Sequence, residues 1–137
     1  MKILELLTPK RKIGNKGEAQ AAAYLKKHGY KIIERNYVAF GNEIDIVAES
    51  KDTLAFIEVK TRTVGRENPK EPRPASAVTP DKQRKIICAA KYYLGSRSVQ
   101  KEVSLDVIEV YLTADGKILN TVHMKNAFTR NTAYGRP

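Results

Sequence analysis

Hydrophobic and polar positions along the chain predict a helix, three strands, a second helix and two further strands. Residues 15–28 and 79–94 carry apolar side chains at helical spacing, and each segment starts with a capping or proline signal. Strand-like patterns span residues 30–40, 43–49, 53–60, 103–112 and 118–124. This order predicts an α/β domain with a mixed central sheet and helices packed on it.

Two segments lack periodicity. Residues 61–78 combine glycine, several prolines and basic side chains, which predicts a flexible basic loop. Residues 129–137 predict a loose C-terminal tail. Since the chain has 137 residues, the size of one domain, we expect a single domain over residues 1–137 with these two mobile segments.

The charge balance changes the expected partners. Lysine and arginine number 25 against 15 acids, which gives a net charge of +10. This excess favours a polyanion, with nucleic acid first, and a basic surface without such a partner is the alternative. One cysteine and no long apolar run predict a soluble cytoplasmic protein without a membrane partner. That cysteine, Cys88, lies in an apolar helical run and is predicted to be a packing residue.

Two predicted strands carry acids within apolar runs. Asp45 lies in the second strand, and Glu58 lies near the end of the third, with Lys60 two residues later. A buried strand normally excludes charge, because desolvating an unpaired carboxylate is costly. Glu58 and Lys60 face the same side of their strand. A short turn joins the two strands and predicts antiparallel pairing, which would bring Asp45 near Glu58.

These groups predict a metal-dependent phosphodiesterase centre. The Asp45 and Glu58 carboxylates and the Val59 carbonyl would supply oxygen ligands suited to Mg²⁺ or Mn²⁺. Such an ion would activate water and neutralise charge on a phosphate. Lys60 would orient the water or stabilise developing negative charge. The alternative is a surface ion pair at a strand end, since a glutamate two residues before a lysine is common by chance.

Other polar residues keep two interpretations. Glu18 stands three residues after Asn15, which favours a capping box over a role as a further ligand. Lys82 and Gln83 lie in the first turn of the second helix, where they would contact a phosphate or a metal-bound water, or would belong to a solvated helix face.

Several remaining polar and aromatic residues are interpreted as structural. Asp106 lies in an apolar strand and is predicted to pair with a lysine or a helix end rather than to catalyse. His28 and His123 lack ligand spacing and are predicted to be ordinary surface or edge residues. Tyr92 and Tyr93 fit a helix packing face better than a base-stacking platform.

The motifs resemble those of the YraN family of bacterial endonuclease-like proteins, over nearly the whole chain. They are Gly14-Asn15-Lys16-Gly17-Glu18, Glu43-Ile44-Asp45-Ile46, Phe56-Ile57-Glu58-Val59-Lys60-Thr61-Arg62, Ala77-Val78-Thr79-Pro80-Asp81-Lys82-Gln83, Asp106-Val107-Ile108 and Asn126-Ala127-Phe128. The resemblance implies a restriction-endonuclease-like core of the PD-(D/E)xK superfamily, similar to archaeal Holliday junction resolvases. It implies these site residues: Asp45, Glu58 and Lys60 as a catalytic triad, Glu18 as a helix-borne acid and Gln83 as an auxiliary group. Asn42 departs from the family's usual glycine and is expected to accept a left-handed turn conformation.

The residues and the resemblance together predict a Mg²⁺- or Mn²⁺-dependent endonuclease that hydrolyses DNA phosphodiester bonds, with branched or flapped DNA as candidate substrates. The expected nucleic-acid contacts are Lys16, Arg62, Arg66, Lys82 and Arg84. Symmetric resolution of a junction needs two active sites, which favours a homodimer. DNA repair or recombination proteins are the candidate partners. The alternatives are a non-catalytic DNA- or RNA-binding protein with the same fold, and an adaptor whose basic loop docks on a larger machine.

Overall fold

A computed structural model of the chain describes residues 9–64 and 78–135, with side chains described from residue 15 onward. The helices and strands in chain order are α1 (Pro9–Lys27), β1 (Lys31–Ala39), β2 (Asn42–Glu49), β3 (Thr53–Thr63), α2 (Pro80–Gly95), β4 (Glu102–Leu112), β5 (Ile118–Met124) and α3 (Arg130–Tyr134). The predicted element order is confirmed, with one further helix at the C-terminal end. None of the helices in the described ranges is long and apolar enough to cross a membrane.

The five strands form one mixed sheet in the order β1-β2-β3-β4-β5. The first three strands pair antiparallel, β4 pairs parallel with β3, and β5 pairs antiparallel with β4. A parallel pair requires a crossover connection, which the segment containing α2 supplies. The predicted mixed sheet with flanking helices is therefore confirmed.

Two apolar cores lie on the two faces of the sheet. Ala21 and Leu25 of α1 pack in the core that contains Ile57. Ile86 of α2 packs in the other core, which contains Phe56. Because side chains alternate along a strand, neighbouring residues of β3 enter opposite cores, and β3 is the central strand of the sheet.

The first helix starts earlier than predicted. It begins at Pro9 rather than near Asn15. Asn15 therefore lies inside the helix and cannot be its N-cap, so the capping-box interpretation of Glu18 is wrong. A proline is well tolerated at the first helical position, because the N–H that it lacks would have no partner there.

The β1–β2 turn is formed by Phe40 and Gly41, which have φ angles of 54° and 75°. Positive φ at both central residues is the signature of the tight turns that suit the twist of a hairpin. Asn42, which was expected to take the left-handed conformation, is the first residue of β2. The prediction placed the turn one residue too late.

The predicted loop over residues 61–78 also begins later than expected. β3 continues to Thr63. The parallel ladder with β4 reaches that residue, so a strand distant in sequence orders positions that the local pattern assigned to a loop. Residues 65–77, which include Arg66, lie outside the described part of the chain.

The predicted loose tail over residues 129–137 is wrong for its described part. Thr129 forms a capping box at the start of α3. Arg84 Nη1 of α2 donates a hydrogen bond to the Ala133 carbonyl at 2.6 Å. The short helix is thus held by α2, a contact that the composition of the tail does not reveal.

Gly17 sets the closest approach between α1 and β3. A Cβ atom added there would lie 1.9 Å from Thr61 Oγ1 and 3.0 Å from Thr61 Cβ. We expect Gly17→Ala to lower the free energy of unfolding by about 1–3 kcal/mol, measured by urea denaturation, because overpacking separates the helix from the strand. Thr61→Ala in the same chain should restore part of the loss, and a double variant as unstable as Gly17→Ala would contradict this account. Gly95→Ala is the control, since its added Cβ meets no described atom within 4 Å.

Candidate metal centre and nucleic-acid interface

Two carboxylates meet where β2 and β3 diverge. The β2–β3 ladder ends at the pair Ile46 and Ile57. The next residues outward are Asp45 and Glu58, so the antiparallel register brings them to the same position, as the sequence predicted. Instead of ladder bonds, Asp45 Oδ2 accepts a hydrogen bond from the Val59 N–H at 2.8 Å.

A bend in β1 lies across from this position. The β1–β2 register places Asn36 opposite Asp45. Asn36 has a φ of 56°, a left-handed conformation that asparagine tolerates better than most residues. Beyond the bend the hairpin changes face, so Ile44 packs in the α2-side core although Ile46 packs in the α1-side core. Asp45 thus lies where the pairing of β2 is irregular on both sides, with β1 and with β3.

The Asp45 carboxyl group is electrostatically perturbed. Burial, followed by the negative charge of Glu58, raises the pKa of Asp45 to about 7, against the opposing effects of the Val59 N–H and the Lys82 ammonium group. Glu58 itself is buried, and its Oε1 atom has no hydrogen-bond partner among the described residues. A half-buried and a buried acid therefore share this edge, and Glu58 Oε1 is not compensated by any described residue.

Two lysines face the other oxygen of Glu58. Lys60 Nζ lies 3.4 Å and Lys82 Nζ lies 3.7 Å from Glu58 Oε2. Lys60 comes from the same side of β3, and Lys82 comes from the first turn of α2, which Thr79 caps. Both lysine side chains are partly exposed, so a polyanion that reaches this edge would meet two ammonium groups beside the carboxylates.

The oxygen donors at this edge fit a hard divalent cation. The N–H and C=O of a strand residue point toward the same neighbouring strand, so the Val59 carbonyl faces the gap beside Asp45. With the Asp45 and Glu58 carboxylates, it forms a set of donors of the type that Mg²⁺ and Mn²⁺ prefer. Within residues 9–64 and 78–135, no group of three or more histidine, cysteine, aspartate or glutamate side chains could hold a metal ion. Water or substrate would have to complete the coordination, as is common for Mg²⁺.

Glu18 lies at the same end of the sheet, on the α1 side. It follows Gly17, which packs against Thr61 of β3. The Glu18 carboxylate is 3.9 Å from Arg35 Nη2. Among the described residues, Glu18 does not form a metal-holding group of three acids with Asp45 and Glu58, and its role as a helix-borne acid stays a prediction.

Gln83 serves the packing of α2. Its Nε2 donates to the Val78 carbonyl at 2.7 Å, and its Oε1 accepts from Thr132 Oγ1 at 2.7 Å. Gln83 is buried, and both of its amide atoms are engaged. These contacts connect the start of α2 with α3. Each amide atom keeps one further bonding position, so the auxiliary role that the resemblance implies stays a prediction.

The basic residues expected to contact nucleic acid do not form one cluster in the described part of the chain, which excludes Arg66. Lys82 lies beside Glu58, and Arg62 follows Lys60 on the same side of β3. Arg84 is engaged within the protein by its bond to α3. Lys16 is exposed on α1, with its Nζ near the β4–β5 turn.

Glu109 is a buried acid of this edge that sequence reasoning missed. It is 1% exposed, lies 3.4 Å from Arg62 Nε, and accepts a hydrogen bond from Tyr111 OH at 3.0 Å. The β3–β4 register places it beside Lys60. The available signal was the same as for Asp45, an acid within a continuous apolar run.

Asp106 belongs to a second buried polar group, formed with His123, Ser104 and Asn126. His123 Nε2 lies 2.7 Å from Asp106 Oδ2, and the Asn126 N–H donates to Asp106 Oδ1 at 3.0 Å. Ser104 Oγ donates to the same carboxylate. The partners are therefore a histidine and a loop rather than a lysine or helix end. His123 lies on β5, an edge strand as predicted, but its side chain is only 5% exposed. His28, in contrast, is exposed as predicted.

The outer face of α2 differs from expectation. Cys88 is exposed, because the helical repeat places the apolar residues on either side of it in the core. Tyr93 is buried against Phe56, whereas Tyr92 is 53% exposed. The predicted packing role is therefore confirmed for Tyr93 and wrong for Cys88 and Tyr92.

Comparison with known proteins gives consistent matches. Residues 17–110, which contain Asp45, Glu58 and Lys60, match the family described as "Uncharacterised protein family UPF0102". A UPF0102 protein of Geobacter metallireducens is 44% identical over 117 residues, which cover 85% of this chain and 91% of that protein. A UPF0102 protein of Caldicellulosiruptor saccharolyticus is 38% identical over 120 residues, which cover 87% and 98% of the two chains. One from Chlorobium phaeobacteroides is 50% identical over 99 residues, which cover 72% and 75%. The chain therefore belongs to the UPF0102 family, which is the YraN family that its motifs resemble.

Proposed function

We propose that this protein is a Mg²⁺- or Mn²⁺-dependent nuclease with a restriction-endonuclease-like core that hydrolyses DNA phosphodiester bonds. The observation that carries the proposal is the pair formed by the half-buried Asp45 and the buried Glu58. Glu58 Oε1 is buried without a hydrogen-bond partner in the described ranges, and Asp45 is close enough for the two charges to repel. The fold gives no reason to bury two neighbouring acids, whereas a divalent cation between them would compensate both.

Each residue of the edge has a role in this proposal. Asp45, Glu58 and the Val59 carbonyl would hold the ion. The chemistry supplied by such an ion, when bound, is the activation of water and the neutralisation of phosphate charge. The Val59 N–H fixes the Asp45 carboxylate, and Lys60 offers an ammonium group to the negative charge that develops on the phosphate. Lys82 adds a second positive group at the start of α2, where the helix dipole also favours an anion.

The charge of the chain supports nucleic acid as the substrate. A net charge of +10 attracts a polyanion at long range, and Lys60, Arg62 and Lys82 lie at the edge where the carboxylates meet. A homodimer would bring two such edges to one branched DNA molecule, as symmetric cleavage requires.

A non-catalytic nucleic-acid-binding role is the second candidate, and one observation favours it. Lys60 and Lys82 lie 3.4 and 3.7 Å from Glu58 Oε2, so two ammonium groups already offset part of the charge that a cation would neutralise. In that role the protein would bind nucleic acid with strong salt dependence and without turnover.

A labelled substrate panel separates these candidates. It contains a four-way junction, a flap, a single strand and a plain duplex, each incubated with Mg²⁺, Mn²⁺ or a chelator, and binding is measured in parallel without metal. We expect metal-dependent cleavage of at least one member, with Lys82→Ala weaker than the wild type. Lys26→Ala, which removes an exposed lysine at the far end of α1, is the matched control. Binding without cleavage of any member would favour the second candidate, and neither binding nor cleavage would contradict both.

A further inference from the structure

The β1–β2 turn presents an aromatic side chain to solvent. Phe40 is 75% exposed and has a φ of 54°. For a bulky residue this left-handed conformation is strained, and turns of this type normally carry asparagine, aspartate or glycine. Phe40 is thus unfavourable in both its backbone conformation and its exposure, and turn formation accounts for neither.

Tyr92 of α2 makes the exposed ring part of a pair. The ring centroids of Phe40 and Tyr92 are 5.0 Å apart with an interplanar angle of 84°. In an edge-to-face pair one ring covers a single face of the other, and Phe40 at 75% and Tyr92 at 53% exposure keep ring surface open to solvent. We refer to Phe40 and Tyr92 as the aromatic patch.

The patch and the metal centre lie on the same two elements of the fold. The hairpin that carries Phe40 at its turn also carries Asp45 on β2, and α2 carries Lys82 beside Glu58 and Tyr92 farther along. The ten residues from Lys82 to Tyr92 span about 15 Å of helix, because each residue advances about 1.5 Å. This length corresponds to about four base steps of stacked nucleic acid. A strand bound at the carboxylates can therefore reach the patch.

The size of the patch argues against a second copy of the chain as its occupant. The two exposed side chains offer roughly 200–300 Å² of apolar surface, whereas a stable interface buries about 800 Å² on each partner. A nucleobase is small enough to stack on one of these nearly perpendicular rings and contact the other at its edge. The exposed lysine next to Tyr92, Lys91, also suits a phosphate backbone.

We propose that Phe40 and Tyr92 form a stacking platform for an unpaired nucleobase of the substrate. The proposal rests on the nuclease function proposed above and narrows its substrate class to nucleic acid with unpaired bases near the cleavage position. A base inside a duplex is covered by its neighbours, whereas a base in a flap, junction or single strand exposes its π-face. Stacking on aromatic side chains tolerates any sequence, so the platform selects for structure rather than for sequence.

A tryptophan in place of Phe40 would report stacking on a nucleobase through quenching of its fluorescence. The chain contains no tryptophan, so Phe40→Trp introduces a single tryptophan whose fluorescence can be excited apart from that of the tyrosines. The titration is carried out without metal on the Asp45→Asn background, so that cleavage does not interfere. We expect quenching by a duplex with a three-nucleotide flap and little quenching by a fully paired duplex of equal charge. Equal quenching by both, or by neither when both bind, would overturn the proposal.

Ring removal tests the energetic contribution without weakening the fold. Phe40→Asn places a favoured residue in the turn, so its melting temperature should equal or exceed that of the wild type. Its affinity for the flapped duplex should fall about 5- to 100-fold, while its affinity for the paired duplex stays unchanged. Tyr92→Ala should behave similarly, and Tyr92→Phe, which keeps the ring, should bind like the wild type.

The remaining outcomes separate failure of the platform from failure of the nuclease. Unchanged flap affinity in Phe40→Asn would overturn the platform alone. A smaller particle mass for Phe40→Asn than for the wild type, measured by light scattering, would overturn it and assign the patch to a second copy. Absence of nucleic-acid binding by the wild type would overturn the proposed function and the platform together.

Discussion

Asp45→Asn should abolish metal-dependent cleavage and also stabilise the metal-free protein. The loss should be about 10³-fold or more, because the variant removes one of two carboxylates that would hold the ion and leaves Glu58 as the only charged ligand. The two effects have the same cause. The Asp45 carboxylate, placed beside Glu58 with little access to water, is unfavourable for the fold until a cation compensates its charge.

The geometry explains the expected gain in stability. The amide oxygen of asparagine can accept the Val59 N–H as Asp45 Oδ2 does at 2.8 Å. The amide N–H₂ can then donate to Glu58, whose Oε1 has no partner in the described residues. A repulsion between two acids becomes a hydrogen bond to a charged acceptor, which should raise the free energy of unfolding by about 1–3 kcal/mol at pH 8. Thermal denaturation in chelator and a cleavage assay in Mn²⁺ measure the two effects.

Glu43→Gln is the matched control for this substitution. It removes the same charge from the same strand, but Glu43 is exposed. Neither stability nor cleavage should change appreciably. Cleavage by Asp45→Asn at the wild-type rate would remove Asp45 from the proposed centre. A variant that loses stability along with cleavage would show that the carboxylate supports the fold rather than the reaction.

The pairing of the two acids was predictable because it depends on local geometry. A short turn between β2 and β3 fixes their antiparallel register, and a fixed register determines which residues face each other. The proximity of Asp45 and Glu58 can therefore be predicted from the sequence alone. The alternation along β3 likewise places Lys60 on the side of Glu58.

Residues whose surroundings depend on distant segments were not predictable in this way. Gln83 is engaged by Thr132, 49 positions along the chain, in a helix too short to give a pattern of its own. Glu109 reaches the edge only because β4 pairs parallel with β3, a choice of neighbour that hydrophobic pattern does not specify. Phe40 was missed because a residue with positive φ is normally inferred from asparagine or glycine, and the nearby Asn42 offered that simpler interpretation.

Raising the pH from 5 to 8 should strengthen Mn²⁺ binding about 100-fold, with most of the change below pH 7. Burial and the charge of Glu58 raise the pKa of Asp45 to about 7, so below that pH the ion must displace a proton from the carboxyl group. Each unit below the pKa weakens binding about tenfold, and above it the dependence levels off. The charged groups that face Asp45 are Glu58 on β3 and Lys82 on α2, with Lys60 beside Glu58. Isothermal titration at several pH values measures the effect, and pH-independent binding would contradict it.

The same pKa predicts the opposite trend for the metal-free protein. The ordinary pKa of the Asp45 carboxyl group is 3.8, so between about pH 4 and pH 7 the folded chain holds a proton at this site that the unfolded chain has lost. Stability from this group is therefore complete below pH 4 and is lost as the pH rises through 7.

The difference in free energy of unfolding between the wild type and Asp45→Asn isolates this group from others that titrate in the same range. That difference should grow in favour of Asp45→Asn up to about pH 7, and saturating Mn²⁺ should reverse its sign at pH 8, because only the wild type gains the ion's binding energy. If the difference in free energy of unfolding stayed constant across the pH range, the pKa of Asp45 would be the ordinary one. A cation would then have no repulsion between Asp45 and Glu58 to compensate.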